Sequence, residues 1–459
     1  MNKTLLILKT DMKKNDIIHL SITDISHDGS GIGKYEGMAV FVPLTAVGDV
    51  ISARVLKVKK HYAFAKTEEI ISPSKHRTNA DCGVFTRCGG CAFRHIDYKS
   101  EAELKQNRVM QTMHRLGKTD LDPQPIICAT SPDRYRNKAL YPVSVGGELG
   151  FYSRHSHRSI PCGDCLLHPE VFYKAGDVFT SFVREYNISV YNEETHTGLL
   201  RHFYLRYGKN TDELMVGIVI NGNSLPQSDT LVKKLKDALG DSLKSVILNV
   251  NTKKTNVVLG DKNILLSGRE YIYDVLCGVK VRISPHSFYQ VNHDMAERLY
   301  KKAAEYAQPQ GKNILDLYCG AGTIGLSMAR EARSVIGVEI VEAAVCDANI
   351  NARENGINNS RFICGDAARA AEQLKHENIS ADVVILDPPR KGCEEALLKT
   401  VANDFSPQTI VYVSCDVATL SRDTVILEGL GYSLQEYTPV DLFPRTPHCE
   451  VVSKFVYKK

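Results

Sequence analysis

No stretch of this 459-residue chain reaches the roughly 18 consecutive apolar residues needed to cross a bilayer. The N-terminal LLIL is too short for a signal-peptide core and lacks a small-residue cleavage pattern. No membrane partner is expected, and the chain reads as soluble and cytoplasmic. Internal repeats and low-complexity stretches are missing, which sets aside solenoid architectures. The C-x3-C-x2-C spacing of radical enzymes, which leaves one iron open, does not occur either.

What is present is ordinary in bulk: 43% of residues are apolar and 24% charged. One compact core cannot serve a chain of this length, so two or three domains are expected. The net charge of +4 hides an asymmetry. Residues 1–210 hold 29 Lys/Arg against 22 Asp/Glu, and the remainder holds 28 against 31. The first part also carries eleven of the fifteen His. That bias suits a polyanionic partner.

Residues 12–70 read as short alternating strands broken by glycine turns (DGSGIG, VGD), the pattern of a small closed barrel of the oligonucleotide-binding kind. Within it, VLKVKKHYAFAK interleaves bases with aromatics. A nucleic-acid face and an edge strand guarded by lysines account for it equally well. An amphipathic helix is expected over 98–116, with Leu104, Val109, Met113 and Leu116 at helical spacing. From 126 to 280 the pattern is largely antiparallel β, with short helices near 170–185 and 228–238. After 295 strands and helices alternate in five β-α units capped by a hairpin, which describes a doubly wound α/β sheet with an antiparallel edge.

Thirteen cysteines in a cytosolic chain are not expected to form disulfides. Cys277, Cys346 and Cys364 look like ordinary apolar positions within strands or helices. The set Cys82-x5-Cys88-x2-Cys91, with Cys162-x2-Cys165 some 70 residues later, does not. Soft thiolates at such spacing suit zinc or an iron–sulfur cluster, and spacing alone does not separate the two.

The chemistry concentrates at strand ends. In DLYCGAGTIG, Gly320 and Gly322 let backbone approach a ligand at the carboxyl end of the first strand of the doubly wound sheet. No GK[ST] closes the loop, and a dinucleotide or phosphate cradle is set aside. Glu339, 23 residues after Asp316, ends the next strand and is placed to accept from ribose hydroxyls. Asp366 follows the third strand, where an adenine amino group would lie. Together these suit S-adenosylmethionine. The fourth strand ends in Asp387-Pro388-Pro389-Arg390, whose prolines stiffen the turn. The fifth, TIVYVSCD, ends at Cys415.

A thiol beside a methyl donor points to covalent attack on an unreactive ring. Uracil C5 is a poor nucleophile. If a thiolate adds to C6, the resulting enolate takes the methyl group at C5, and a base must then remove the C5 proton so that the thiol is expelled. Glu450, in the final hairpin, is the candidate base. The thiolate must be favoured by local positive charge or by proton transfer, and the ring must be flipped out of the folded RNA.

These motifs resemble the family of S-adenosylmethionine-dependent RNA uracil-5-methyltransferases, above all the bacterial enzymes of 23S ribosomal RNA, over nearly the whole chain. The resemblance implies a TRAM barrel for RNA binding at 1–73 and a central iron–sulfur and RNA-binding domain at 74–94 and 126–280. It further implies a helix at 95–125 packed on the catalytic domain, and that domain itself, a Rossmann-like methyltransferase sheet, at 281–459. It gives Cys82, Cys88, Cys91 and Cys165 as ligands of a [4Fe-4S] cluster, with Cys162 as the other candidate. SPHSFYQVN implies that Gln290 contacts S-adenosylmethionine, as do Tyr318, Thr323, Glu339, Asp366 and Asp387. VSCD and DLFPRTPHCE match the nucleophile and base motifs, at Cys415 and Glu450. One departure stands out: Asp416-Val417 replaces the Asn-Pro that often follows the nucleophile. The expected partner is a flipped-out uridine in a single-stranded or loop region of 23S rRNA, and the expected state a monomer. The competing readings are the same reaction on transfer RNA, amine methylation at the Asp387 turn, and a non-enzymatic RNA-binding factor.

Overall fold

The computed structural model describes residues 11–154, 156 and 158–458, so the LLIL segment lies outside the described residues. The chain forms two compact units. One comprises Met1–Lys105, Tyr152–His157 and Phe443–His448; the other comprises Gln106–Phe151, Arg158–Leu442 and Cys449–Lys459.

In the first unit, β1 (Ile17–Ile25), β2 (Gly31–Tyr35), β3 (Met38–Val42), β4 (Val50–Val58) and β5 (Tyr62–Ser72) close a barrel in the order β1-β2-β3-β5-β4. Five strands and closure are what the alternating pattern called for. In β1, Ile18, Leu20 and Ile22 point inward between exposed polar neighbours and meet Val40, Val42, Ile51, Val55 and Ala63. On the outside, Phe41, Tyr62 and Phe64 form a ring cluster with centroids 5.4–5.8 Å apart, and Tyr62 and Phe64 remain 38% and 39% exposed. The cysteine segment follows. Cys88 is buried and bridges to Ser153, its sulfur accepts the Gly90 N–H at 3.3 Å, and Phe85 packs on His95. Helix α1 (Tyr98–Gly117) begins here.

In the second unit, β6 (Lys138–Pro142) pairs with a later strand, and β7 (Gly150–Tyr152) and β8 (Ser159–Pro161) make a short ribbon. After α2 (Glu170–Glu185) come β9 (Leu200–Gly208), β10 (Glu213–Ile220), α3 (Ser228–Leu239), β11 (Leu243–Val250) and β12 (Lys262–Gly268). They assemble as β12-β11-β10-β9-β6, with α2 and α3 packed on one face through Phe179, Phe182, Leu231 and Leu235. This sheet departs from the antiparallel expectation at one pair. β10 and β11 run parallel, because α3 carries the chain back across the sheet. The segment REYIYDVL also leaves the sheet: β13 (Ile272–Leu276) pairs only with β14 (Val279–Ile283).

Next come α4 (His293–Ala307), β15 (Asn313–Leu317), α5 (Thr323–Met328), β16 (Ser334–Glu339), α6 (Glu342–Glu354), β17 (Ser360–Cys364) and α7 (Ala367–His376). The chain finishes with β18 (Val383–Leu386), α8 (Glu395–Thr400), β19 (Thr409–Ser414), α9 (Val417–Gly429), β20 (Tyr432–Val440) and β21 (Glu450–Tyr457). The seven strands order as β17-β16-β15-β18-β19-β21-β20. The first five are parallel, and the closing hairpin inserts β21 antiparallel beside β19. Buried strands such as VVIL and TIVYVS need helices on both faces to shed water. The second half of α1 supplies part of that cover through Val109 and Met113. Cys346 lies in α6 and Cys364 ends β17, within elements as expected, though both are exposed; Cys277 sits instead in a tight turn at φ 49°.

Candidate active site

The carboxyl edge of the seven-stranded sheet gathers most of the expected residues. Ser414 of β19 pairs with Val451 of β21, so the next residues outward are Cys415 and Glu450. Because β21 runs antiparallel, its first residue lies at the edge where the parallel strands end. On the other side of β19, Leu386 of β18 pairs with Tyr412, which brings Asp387 to the same edge.

The electrostatics of this corner are dominated by burial and by carboxylates. Glu450 is only 7% exposed, and burial, then the charge of Asp387, pushes its carboxyl up to about 8. Burial likewise pushes Asp387 up to about 7. Cys415 is half-buried; burial, then Glu450 and Asp387, drives its thiol up to about 11, and Arg390 opposes them. The expected thiolate-favouring positive charge is therefore outweighed in the resting site: one guanidinium faces two carboxyl groups. The thiol is neutral at rest.

The glycine-rich loop follows β15. Tyr318, Gly320 and Gly322 take φ of 69°, 55° and 77°, and Gly322 starts α5 with its Cα against Phe362 and Ala348, leaving no room for a side chain. Gly320, Gly322 and Gly325 stand at GxGxxG spacing, which dinucleotide loops share. The loop alone therefore does not exclude a dinucleotide, contrary to the reading from sequence.

Glu339 is held at the end of β16. One carboxylate oxygen accepts the Gly320 N–H at 3.1 Å and the other the Val341 N–H at 2.9 Å, which fixes it beside the loop with lone pairs to spare. Thr323 begins α5 and shares a 3.0 Å hydrogen bond with the Tyr300 hydroxyl. Gln290 lies on the loop between β14 and α4; its carbonyl accepts from the Asn137 amide at 2.9 Å. That loop leaves Phe288 69% exposed and ends at Asn292, whose side chain caps α4.

Two carboxylates are already engaged. Asp366 caps α7 by accepting from Ala368 and Arg369 N–H at 3.1 and 3.2 Å, a task the adenine expectation overlooked. Asp416, the departure beside the nucleophile, caps α9 through Ala418 and Thr419 N–H at 2.9 and 3.1 Å. Half-buried Arg108, on α1, feels the charge of Asp416. Asp, like the Asn it replaces, is a preferred residue at a helix start, so the departure keeps the cap.

Sequence reasoning gave no role to Arg390, although it stands in the quoted turn. It also passed over Asp316. That side chain is fully buried; one oxygen accepts the Gly325 N–H at 2.9 Å, the other has no partner, and burial pushes the carboxyl up to about 8. An acidic residue in the middle of an apolar strand was the available signal.

Cys162 and Cys165 are close enough for a side-chain hydrogen bond. Among the described residues no group of three or more His, Cys, Asp or Glu has the geometry to hold a metal ion. Nor is any helix among the described residues long and apolar enough to cross a membrane.

A glycine-rich loop with a strand-end carboxylate on an α/β sheet, joined in one chain to a five-stranded barrel, is matched by two family models. The one described as tRNA (Uracil-5-)-methyltransferase covers residues 97–457, and the TRAM domain covers 13–67. The chain belongs to the tRNA (uracil-5-)-methyltransferase family, with a TRAM domain ahead of the methyltransferase region. An uncharacterised RNA methyltransferase of Halalkalibacterium halodurans is 44% identical over 447 residues, covering 96% of this chain and 97% of that protein. One from Clostridium tetani is 40% identical over 450 residues, with 97% of each chain covered. Among solved structures, the tRNA (uracil-54, C5)-methyltransferase of Pyrococcus abyssi, in complex with S-adenosyl-L-homocysteine, has a TM-score of 0.79 at 28% identity. It covers 96% of this chain, and this chain covers all of it.

Proposed function

We propose that this protein transfers a methyl group from S-adenosylmethionine to C5 of a uridine in structured RNA, with 23S rRNA as the substrate and Cys415 as the nucleophile. The observation that carries the reading is the meeting of Cys415, Glu450 and Asp387 at three adjacent strand ends. S-adenosylmethionine supplies an electrophilic methyl group when bound, and Gln290, Tyr318, Thr323, Glu339, Asp366 and Asp387 are the proposed contacts. Glu339 fits a ribose, since both of its oxygens are fixed by backbone N–H groups while keeping free lone pairs. The free oxygen of Asp366 is what remains for the adenine.

Cys415 would add to C6 as its proton passes to Asp387, one of the two carboxyl groups it faces, and once C5 carries the methyl group Glu450 would remove the C5 proton as the C6–S bond breaks. A base whose proton affinity lies near 8 suits removal of a carbon-bound proton at neutral pH. The exposed Tyr62 and Phe64, clustered with half-buried Phe41 and near Lys57, Lys59 and Lys60 in sequence, support the barrel as an RNA platform. In the proposed division of labour, 1–73 and the central 74–94 and 126–280 bind RNA. Residues 281–459 carry the chemistry, with 95–125 as a helix against them.

A tRNA substrate is the second reading. The barrel does not separate the two, because the P. abyssi tRNA enzyme aligns over 96% of this chain. Labelled methyl transfer to 23S rRNA fragments and to tRNA transcripts decides. We expect incorporation into 23S fragments alone; transfer to tRNA alone overturns the ribosomal substrate and keeps the reaction.

The [4Fe-4S] cluster rests on spacing and resemblance, and no catalytic step is routed through it. Metal analysis of anaerobically purified protein is expected to give about four irons per chain. Zinc, or fully active protein without metal, overturns it.

A further inference from the structure

The central sheet β12-β11-β10-β9-β6 has helices on one face only, and its other face holds an unusual arrangement of charge. In the β6–β9 ladder Lys138 stands directly opposite Arg206, and side chains of directly paired residues share a face. Like charges set opposite each other destabilise a sheet. Arg206 is nevertheless 2% exposed. One of its guanidinium nitrogens donates to the Ser287 carbonyl; the other two, Nε and Nη1, have no partner. No carboxylate forms an ion pair with Arg206, Lys138 or Arg136 among the described residues.

The loop that crosses this face adds a third basic group. The Tyr204 hydroxyl donates to the Pro285 carbonyl at 2.9 Å, and His286 beside it is exposed and faces both Arg206 and Lys138. Of the acids nearby, Asp261 acts on His286 and is held by Lys253 at 2.6 Å, while Asp347 accepts from the neighbouring Ser287 hydroxyl at 2.6 Å. Lys138 lies 5.9 Å from the Tyr204 ring; burial, then Arg206 and Arg136, pushes its ammonium down to about 8. A basic patch is usually a solvated surface. Here one charge, Arg206, is buried with two nitrogens unpartnered beneath a half-buried Lys138, and an arriving anion would relieve both penalties at once.

We propose that Lys138, Arg206 and His286, with Arg136 beside them, form a subsite for a phosphodiester of the RNA backbone where Lys138 and His286 reach the surface above the buried Arg206. The subsite rests on the RNA reading above. Its loop continues into Phe288 and Gln290, so a phosphate held here fixes the strand next to the loop expected to meet the cofactor. Lys138 and His286 supply the reachable contacts, and Arg206 supplies the buried charge beneath them.

The test is RNA binding by fluorescence anisotropy across 50–200 mM salt, with the RNA the wild type methylates. Lys138→Gln is expected to weaken binding several-fold and to lower the slope of log K against log salt by about 0.7–0.9, the value of one lost phosphate contact. Lys138→Arg should restore most of it. KM for RNA rises while kcat at saturating RNA and affinity for S-adenosyl-L-homocysteine stay as in wild type. An unchanged affinity and slope in Lys138→Gln and in His286→Ala overturns the subsite. So does a parallel loss of melting temperature and S-adenosyl-L-homocysteine binding, which marks a structural role. If inorganic phosphate is bound and the RNA slope is unmoved, the site serves a free anion and the proposal fails. A wild type that binds no RNA overturns the proposed function instead.

Discussion

Cys415→Ala is expected to abolish tritium release from RNA labelled at uridine C5, with turnover falling by about five to six orders of magnitude. The size follows from the chemistry. Without addition at C6, C5 never becomes an enolate, and no neighbouring carboxylate replaces that step. The thiol is half-buried at a strand end, and an alanine leaves β19 and its ladder to β21 intact. Affinity for S-adenosyl-L-homocysteine should therefore persist, which separates loss of chemistry from loss of fold. If Cys415→Ala retains methyl transfer, the covalent mechanism is wrong. Transfer without tritium release would then place the new methyl on an atom other than C5, as amine methylation at the Asp387 turn requires. The neutral resting thiol adds a second readout. Alkylation of Cys415 in the free enzyme should follow a titration near 11, above the usual value near 8.5.

Glu450→Gln is expected to stop the reaction one step later. The methyl group is transferred, the C5 proton stays, and the C6–S bond cannot break. A protein–RNA adduct stable to denaturing electrophoresis should accumulate, while turnover falls by roughly 10²–10⁴-fold. Equal turnover, or complete loss with no adduct, counts against Glu450 as the base. The same variant changes stability in a pH-dependent way. Burial raises the folded-state value of Glu450 from 4.5 to about 8, so the fold prefers the protonated form. The stability this contributes is complete below about 4.5 and is lost as pH rises through about 8. Glutamine, neutral throughout, loses nothing. The variant's unfolding free energy should thus match wild type at pH 5 and exceed it at pH 9, by an amount on the order of a few kcal/mol at most, with the melting temperature moving in the same direction.

Much of the site was legible because its residues sit at strand ends. Alternating β and α segments locate those ends, and parallel strands present them along one edge. Cys415, Asp387 and Glu339 were found in this way, and Glu450 came from its place at the start of the last hairpin strand. The helix caps were equally readable: Asp366 and Asp416 each precede a helix, where a short carboxylate satisfies free N–H groups. Attention to cofactor chemistry hid that plainer role. The four-cysteine set marks the opposite case. Its spacing is distinctive, but the arrangement of ligands depends on side-chain directions that spacing does not specify.

Order and period along the chain determined the barrel, the doubly wound sheet and the family's motifs. Each of these follows from local alternation, since burial on one face or on two imposes its own repeat. Register and cross-strand neighbours were decided only by the tertiary structure. It set Lys138 against Arg206, turned β10 and β11 parallel, and surrounded the thiol of Cys415 with carboxylates from β18 and β21. A single strand does not encode its partner's alignment, and the charges a side chain meets come from that partner.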